Sequence, residues 1–167
     1  KDQFVIVSVS LKLSSKDNQV KTGYGDIHKE LEKASVEHPT IQDVSQAVIA
    51  IRSSKLPDPN ELGNAGSFFK NPVVSTSVAD TLLEKHPELV HYPAGDSAVK
   101  LAAGWLIEKA GWKGFRRNDA GVHARQALVL VNYGEATGKE IWQLSEDILQ
   151  DVQSKFGVTL EREVNII

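Results

Sequence analysis

One segment near the C-terminal end of the chain constrains its fold more than any other. From residue 137 to residue 157, apolar residues recur every three or four positions, which is the period of a helix that buries one face. The segment opens with Thr137-Gly138-Lys139-Glu140, a capping-box pattern, and Gly157 suits the left-handed cap that ends a helix. The predicted buried face consists of Ile141, Leu144, Ile148, Val152 and Phe156. The sequence therefore predicts one long amphipathic helix here.

Runs of strand length flank this helix, at residues 127–131 before it and 158–167 after it. A strand, a helix and a second strand in that order predict a right-handed crossover. Apolar alternation with β-branched enrichment over residues 4–13 predicts a further strand, and the glycines around Tyr24 predict a turn after it. Together these segments predict a mixed fold of the α/β or α+β class.

Three shorter helices are predicted in the middle of the chain. The first begins at a variant capping box, Thr40-Ile41-Gln42-Asp43, and has to end before Pro57 because proline lacks an amide hydrogen. A second is expected around residues 78–83, and the good helix formers of residues 99–110 predict the third. Glycine and proline predict loops at residues 56–66, 92–96 and 111–121.

Composition excludes several classes of function. The chain has no cysteine, which rules out disulfides, cysteine-ligated zinc, iron–sulfur clusters and a thiol nucleophile. With 19 Lys and Arg against 22 Asp and Glu, the net charge of −3 does not favour nucleic acid as a partner. The five histidines form no HExxH pair, so no metal site is predicted. The apolar runs fall far short of the ~18–20 residues that a membrane span needs, so no membrane partner is expected.

The chain contains no methionine, and it opens and closes on sequence typical of strands. A natural chain begins at a start codon, so we expect this one to be a piece of a longer protein. The alternative is a whole protein trimmed of a tag.

Three segments carry residues that a purely structural chain would not require. In residues 63–72 glycines and a serine allow a close approach to a ligand, although a glycine-rich turn with a core phenylalanine pair would look the same. In residues 111–126 four cations, Lys113, Arg116, Arg117 and Arg125, suit a phosphate, although a solvated basic loop would also carry them. In Glu161-Arg162-Glu163 an alternating strand places both carboxylates on one face, where one could act as an acid or both could simply be solvated.

These segments resemble the UDP-N-acetylenolpyruvoylglucosamine reductase (MurB) family of bacterial flavoenzymes. Gly63-Asn64-Ala65-Gly66-Ser67-Phe68-Phe69-Lys70-Asn71-Pro72 is a highly specific match, and residues 100–108 and 126–132 are two more. The resemblance covers nearly all of the chain and is to the longer subtype, which has a tyrosine loop around Tyr92. It implies the C-terminal substrate-binding domain of the family, with most of the FAD-binding fold and a catalytic arginine outside this chain.

The resemblance also implies a domain plan and an activity. Residues 1–42 would end the FAD-binding domain and connect it, residues 43–155 would bind substrate, and residues 156–167 would return to the FAD-binding domain as a strand. The implied reaction is the reduction of UDP-N-acetylglucosamine enolpyruvate to UDP-N-acetylmuramate for peptidoglycan synthesis, in the cytoplasm and by a monomer. FAD and NADPH serve the full-length enzyme, whereas this piece is expected to hold no FAD and to be inactive alone.

Individual roles follow from the same resemblance. Ser67 matches the family's proton donor to carbon, and Glu163 matches its catalytic glutamate. Arg52 is a candidate for contact with the flavin, and Asn165 stands where some relatives carry a substrate-binding arginine. The implied substrate-binding residues are Tyr24, Lys55, Asn71, Tyr92, Lys113 and Gln126.

Two other interpretations remain open. A non-catalytic α/β module that binds a nucleotide sugar is one, although such a binder needs neither Ser67 nor Glu163. Another flavin oxidase of the same superfamily is the second, and the substrate-domain motifs argue against it. The reductase interpretation requires the hydroxyl of Ser67 and the carboxyl of Glu163 to lie on the same side of the molecule.

Overall fold

The computed structural model describes residues 6–14, 16, 19–23 and 25–165. The chain divides into two compact units, Lys1–Arg52 and Ser53–Ile167. The N-terminal unit contains helix α1 (Ile27–Lys33) and most of helix α2 (Ile41–Lys55). Its small core consists of Ile27, Leu31 and Ala47, with the α2 residues Val44, Val48 and Ile51 packed against them.

Helix α2 has the boundaries that its sequence predicts. The Thr40 amide donates to the Asp43 carboxylate at 2.8 Å, and the Asp43 amide donates to the Thr40 hydroxyl at 3.3 Å, which completes the predicted capping box. The helix ends at Lys55, two residues before Pro57. The hydrogen bonds from Thr40 also lower the pKa of Asp43, because they favour its charged form.

The predicted N-terminal strand is wrong over residues 6–13, which form no strand within the described structure. Ile6 and Val7 are 81% and 91% exposed, and no strand of the described residues pairs with this segment. Alternation alone does not make a strand, because the backbone groups need a partner. Phe4, Val5 and Tyr24 lie outside the described residues.

The described residues of the C-terminal unit form two antiparallel sheets and three complete helices, so the fold is α+β. One sheet has the strand order β1-β7-β6-β5 and the other the order β2-β4-β3. In chain order the elements are β1 (Gly63–Ser67), β2 (Val73–Ser75), α3 (Thr76–Lys85), β3 (His91–Pro93), β4 (Ala98–Leu101), α4 (Ala103–Lys109), β5 (Arg116–Arg117), β6 (Ala120–Val122), β7 (Val129–Asn132) and α5 (Gly138–Phe156).

Helix α5 is the long amphipathic helix that the sequence predicts. Thr137 and Glu140 form the capping box, and Gly157 ends the helix at φ 67°. Its apolar face packs on β6, β7 and α4, and Leu144, Ile148 and Val152 are at most 1% exposed. The helix therefore covers the four-stranded sheet and closes the core of the unit.

Several predicted elements differ from the structure because strand pairing over long distances overrides local preference. Residues 99–110 are predicted as one helix, yet they begin in β4, which pairs with β2 and β3, and only then enter α4. The predicted loops at residues 56–66, 92–96 and 111–121 contribute β1, parts of β3 and the hairpin β5–β6. Strand β7 is predicted correctly but begins two residues later, at Val129.

The predicted strand at residues 158–167 is wrong over its described part, where residues 158–165 form a single isolated bridge, from Arg162 to Phe69. The chain after α5 therefore makes no strand–helix–strand crossover there. Ile166 and Ile167 lie outside the described residues.

The capping box of α5 predicts a measurable loss of stability. Thr137→Ala removes the acceptor of the Glu140 amide and should lower the free energy of unfolding of the C-terminal unit by about 1 kcal/mol. All three tryptophans, Trp105, Trp112 and Trp142, lie in this unit, so their fluorescence during urea unfolding reports its stability. Ser154→Ala, at an exposed position of the same helix, is the control; equal effects of both variants would contradict the cap.

A buried histidine predicts a pH dependence. His123 is 7% exposed, and its Nδ1 has no hydrogen-bond partner within the described structure. Burial, and then the charge of Arg125, lowers the pKa of His123. The unfolded chain therefore binds this proton more readily, and the native state loses stability as the pH falls below about 6.5.

His123→Asn should accordingly flatten the decrease in stability between pH 7 and pH 5, measured as the urea midpoint followed by tryptophan fluorescence. The control is His91→Asn, at an exposed position of the same unit, which should keep the slope of the parent chain. An unchanged slope in the His123 variant would show that another group is responsible.

Candidate active site

Strand β1 presents Ser67 at a bulge. The register between β1 and β7 shifts between Asn64 and Ser67, and Gly66 inside this stretch has φ 71°, a conformation that favours glycine. The Asn64 side-chain oxygen accepts the Gly66 amide at 3.0 Å and stabilises the bend. Ser67 is exposed, whereas Phe68 and Phe69 are 6% and 1% exposed. Two core aromatics therefore anchor the serine from one side.

Residues 67–71, called here the serine segment, run antiparallel to residues 161–163. The Lys70 amide donates to the Glu161 carbonyl at 2.8 Å, and the Glu163 amide donates to the Phe68 carbonyl at 2.9 Å. The side chains of Lys70 and Glu161 also form an ion pair. Because the Glu163 amide is hydrogen-bonded to the residue next to Ser67, the two predicted catalytic residues lie on neighbouring segments.

The other edge of the serine segment contacts the loop that carries Gln126. The Phe68 amide donates to the Leu128 carbonyl at 2.8 Å. The Gln126 Oε1 accepts the Leu128 amide at 3.4 Å. At the end of the serine segment, the Asn71 Oδ1 accepts the amide of Ala103, the first residue of α4, at 2.9 Å. The side-chain amides of two predicted substrate-binding residues, Asn71 and Gln126, are thus placed around the start of α4.

Gly104 is a residue whose importance at this junction the sequence analysis missed. A Cβ atom at this position would lie 3.3 Å from Gln126 Oε1 and 3.4 Å from the Cγ of Leu128. Glycine therefore allows the Gln126 loop to approach α4 closely. The available signal was a glycine inside a stretch of good helix formers, where it costs about 1 kcal/mol relative to alanine.

Tyr92 lies in β3 and not in a loop, because its strand pairs with β4. Its partner in the register is Lys100, and Lys100 also lies opposite Val73 of β2. Directly opposed side chains on antiparallel strands share a face, and their Cβ atoms are about 4.5–5.5 Å apart. Tyr92 and Lys100 are both exposed. Lys100 lies in the matched segment 100–108, but the sequence predicted no role for it.

The remaining described candidates belong to other segments of the chain. The Lys113 ammonium pairs with Glu108 at 2.9 Å, beyond the C-terminal end of α4. Arg52 and Lys55 are exposed near the end of α2, and Tyr24 lies outside the described residues.

The basic loop of residues 111–126 is largely committed to contacts within the protein. Arg116 binds Asp119 at 3.0 Å, and its guanidinium lies 4.2 Å from the centre of the Tyr133 ring. Arg117 binds Asp147 of α5 at 2.8 Å. These pairs favour the structural interpretation of the loop over a phosphate site.

Arg162 extends to α5. Its Nε donates to the Ser145 hydroxyl at 2.7 Å, its Nη2 donates to Glu146 Oε2 at 2.6 Å, and its guanidinium lies 5.4 Å from the centre of the Trp142 ring. The hydrogen bond from Arg162 lowers the pKa of Glu146, because it favours the carboxylate. Glu161 and Glu163, on either side of Arg162, are both exposed.

A cavity of about 380 Å³ lies beside these segments. Ala65 and Phe68 line it from the side of β1, Trp142 from α5, and Val164 and Asn165 from the end of the described chain. The described residues contain no group of three or more metal-ligating side chains. No helix among them is long and apolar enough to cross a bilayer.

Comparison with known proteins yields one consistent family. The family model described as UDP-N-acetylenolpyruvoylglucosamine reductase, C-terminal domain, matches residues 58–167. A relative of that name from Flavobacterium johnsoniae is 54% identical over 167 residues, which is 100% of this chain and 50% of the relative. One from Chromobacterium violaceum is 56% identical over 165 residues, or 99% of this chain and 48% of the relative. The chain thus spans about half the length of the curated relatives that it matches.

A solved structure, UDP-N-acetylenolpyruvylglucosamine reductase (MurB) from Thermus caldophilus, aligns with 75% of this chain and 33% of its own, at 24% identity and a TM-score of 0.44. The match of the family model to most of the chain and the identity to the two relatives are the decisive findings. This chain belongs to the UDP-N-acetylenolpyruvoylglucosamine reductase family, and its residues 58–167 correspond to the C-terminal domain of that family.

Proposed function

We propose that this chain forms the substrate-binding half of an oxidoreductase that converts UDP-N-acetylglucosamine enolpyruvate to UDP-N-acetylmuramate in cytoplasmic peptidoglycan synthesis. The names of its relatives supply the reaction. The observation that supports the proposal is the antiparallel pairing of the serine segment with residues 161–163, in which the Glu163 amide binds the carbonyl of Phe68, the residue after Ser67. Residues 43–155 are assigned to substrate binding, with residues 1–42 and 156–167 on the flavin side.

Ser67 is assigned the proton transfer. Reduction of the enolpyruvyl double bond adds a hydride to one carbon and a proton to the other; FAD, reduced by NADPH, supplies the hydride when it is bound. A serine hydroxyl is a very weak acid, so it can donate only to a strongly basic, carbanion-like intermediate of the substrate that is held close to it. The bulge and the buried Phe68–Phe69 pair support this role, because they fix an exposed hydroxyl. Its exposure lets solvent restore the proton afterwards.

Glu163 is assigned to the stabilisation of charge on the substrate carboxylate and enol. A carboxyl group can donate a hydrogen bond to an anion only when it is protonated, and burial favours that form. Glu163 is exposed in this chain. The burial therefore has to come from the substrate and from the flavin-binding half, which holds the catalytic arginine that the family resemblance implies.

The nucleotide sugar is assigned to the region around the start of α4 and to Tyr92. The side-chain oxygens of Asn71 and Gln126 already accept backbone amides, so their NH2 groups remain to donate to ligand oxygens. Two fixed amide donors suit the acceptor oxygens of a uridine diphosphate. Tyr92 adds an exposed ring, and Lys55, Lys113 and Tyr24 are further candidates.

FAD would be held mainly by residues outside this chain. The candidate contact within it is Arg52, whose exposed position on α2 suits an anionic cofactor.

The role of Ser67 can be tested in a chimera in which this chain replaces the matching half of the Flavobacterium johnsoniae relative. Ser67→Ala should slow reoxidation of the reduced flavin by substrate by ~10²–10⁴-fold, because the positioned proton is lost. Reduction of the flavin by NADPH should be unchanged, and both steps are measured by stopped-flow absorbance. Ser154→Ala is the matched control. Undiminished reoxidation in the Ser67 variant would remove the serine from the mechanism.

Nucleotide binding can be tested on the 167-residue chain itself. Titration with UDP, followed by NMR of labelled protein, should shift the backbone amides of Ala103, Gly104 and Leu128. Gln126→Ala should weaken binding about tenfold, because a hydrogen bond to a charged ligand is lost. Lys113→Ala should have a smaller effect, since Glu108 already pairs with that ammonium. Shifts confined to the basic loop, at Arg116 and Arg117, would contradict the assigned site.

A further inference from the structure

We propose that Arg162 is a positioning residue that holds Glu163 against the serine segment through its contacts with α5. The inference rests on the proposed function, because it takes Glu163 to act on the substrate. Arg162 and the α5 residues Ser145, Glu146 and Trp142 then contribute to catalysis without touching the substrate.

The guanidinium of Arg162 is fixed by three residues of α5, Trp142, Ser145 and Glu146. Ser145 is fully buried; its hydroxyl accepts from Arg162 Nε at 2.7 Å and donates to the Trp142 carbonyl at 2.6 Å. Glu146 accepts from Nη2 at 2.6 Å, and the side chains of Arg162 and Glu146 are only 20% and 28% exposed. The ring of Trp142 covers the guanidinium. Arginine suits such a site because its planar fork of donors fits two acceptors and stacks on an aromatic ring.

Leu160 and Val164 on either side of Arg162 pack against the core, but the β pairing of this segment is short. Residues 158–161 and 163–165 belong to no strand, and the contact with the serine segment is a single bridge with one hydrogen bond on each side. A slip of one residue in such a pairing would turn the Glu163 side chain to the opposite face. The side chain of Arg162, which has to reach Ser145 and Glu146, excludes that slip. The register of Glu163 is therefore set by α5 as much as by β pairing.

Trp142 extends the same arrangement to the cavity. Its ring lines the cavity together with Val164 and Asn165, the residues that follow Glu163. Arg162 precedes Glu163 in the chain, and its guanidinium lies against that ring. The same contact therefore constrains the backbone before Glu163 and the cavity wall beside Val164 and Asn165. Loss of the guanidinium would loosen both together.

The test uses the chimera described above, with single-turnover reoxidation of the reduced flavin by substrate. Arg162→Met keeps an apolar stem but removes every donor, and it should slow reoxidation by roughly tenfold, because small misplacements of a catalytic group are costly. Flavin reduction by NADPH and the dissociation constant of the substrate should change less than about twofold. Arg162→Lys, which retains a cation for Glu146, should recover part of the rate.

Arg117→Met is the matched control, because it removes another arginine–carboxylate pair with the same helix, to Asp147 at 2.8 Å. It should leave the rate of reoxidation unchanged. Equal slowing by Arg117→Met and Arg162→Met would mean that α5 is merely destabilised, and it would overturn the proposal.

A double-mutant cycle separates positioning from a general structural effect. If Arg162 acts through Glu163, Arg162→Met should cause no further slowing once Glu163→Gln is present. Independent, multiplicative effects would overturn the proposal. If Glu163→Gln alone leaves the rate unchanged, the proposed role of the glutamate fails and the inference fails with it. If Glu163→Gln slows the reaction but Arg162→Met does not, only the inference fails.

Should Arg162→Met not fold, Ser145→Ala gives the same test with a smaller change. It removes the acceptor of Arg162 Nε and should slow reoxidation by about threefold, again without effect in the Glu163→Gln background. A rate equal to that of the parent chimera would overturn the proposal.

Discussion

Two backbone hydrogen bonds hold the candidate site together, one from Lys70 to Glu161 and one from Glu163 to Phe68. The first joins residues that are 91 positions apart in the chain, and the second spans a similar length. Closing so long a loop costs conformational entropy, and the buried Phe68 and Phe69 beside the bonds supply the apolar contact that offsets it. Without this pairing, Ser67 would end a β-strand, and the segment that carries Glu163 would have no backbone contact with the serine segment.

Helix α5 serves the core and the site at once. Its apolar face covers the four-stranded sheet, while polar residues on its flank hold distant backbone in place. Asp151 accepts from the Trp112 indole at 2.8 Å, and Lys155 donates to the Ala110 carbonyl at 2.7 Å, which fixes the end of α4. Ser145 and Glu146 do the same for Arg162. The helix therefore orients both the region around α4 and the segment that carries Glu163.

Sequence patterns predict the parts of this fold that local interactions decide. The capping boxes at Thr40 and Thr137 and the glycine at 157 mark helix ends, because their hydrogen bonds join residues that are close in the chain. Strands β1 and β4 escaped prediction because pairing with distant strands defines them. The strand predicted at residues 158–167 does not form for the complementary reason. Apolar alternation is present, but in the described residues the pairing with a partner is limited to one bridge.

The candidate site shows the same division. Family resemblance predicted roles for Ser67, Asn71, Gln126 and Glu163 among other residues, yet no local pattern could indicate that the Asn71 oxygen binds the start of α4. The positions of Lys100 and Gly104 depend on pairings and close approaches between separate elements, and so no role was predicted for them.

The most direct measurement on the 167-residue chain is the nuclear Overhauser effect between the α protons of Phe69 and Arg162. In a non-hydrogen-bonded antiparallel pair the Cα atoms are about 4.5 Å apart, so the account predicts a strong effect. Its absence, with residues 161–163 in contact with another element instead, would contradict the convergence of Ser67 and Glu163.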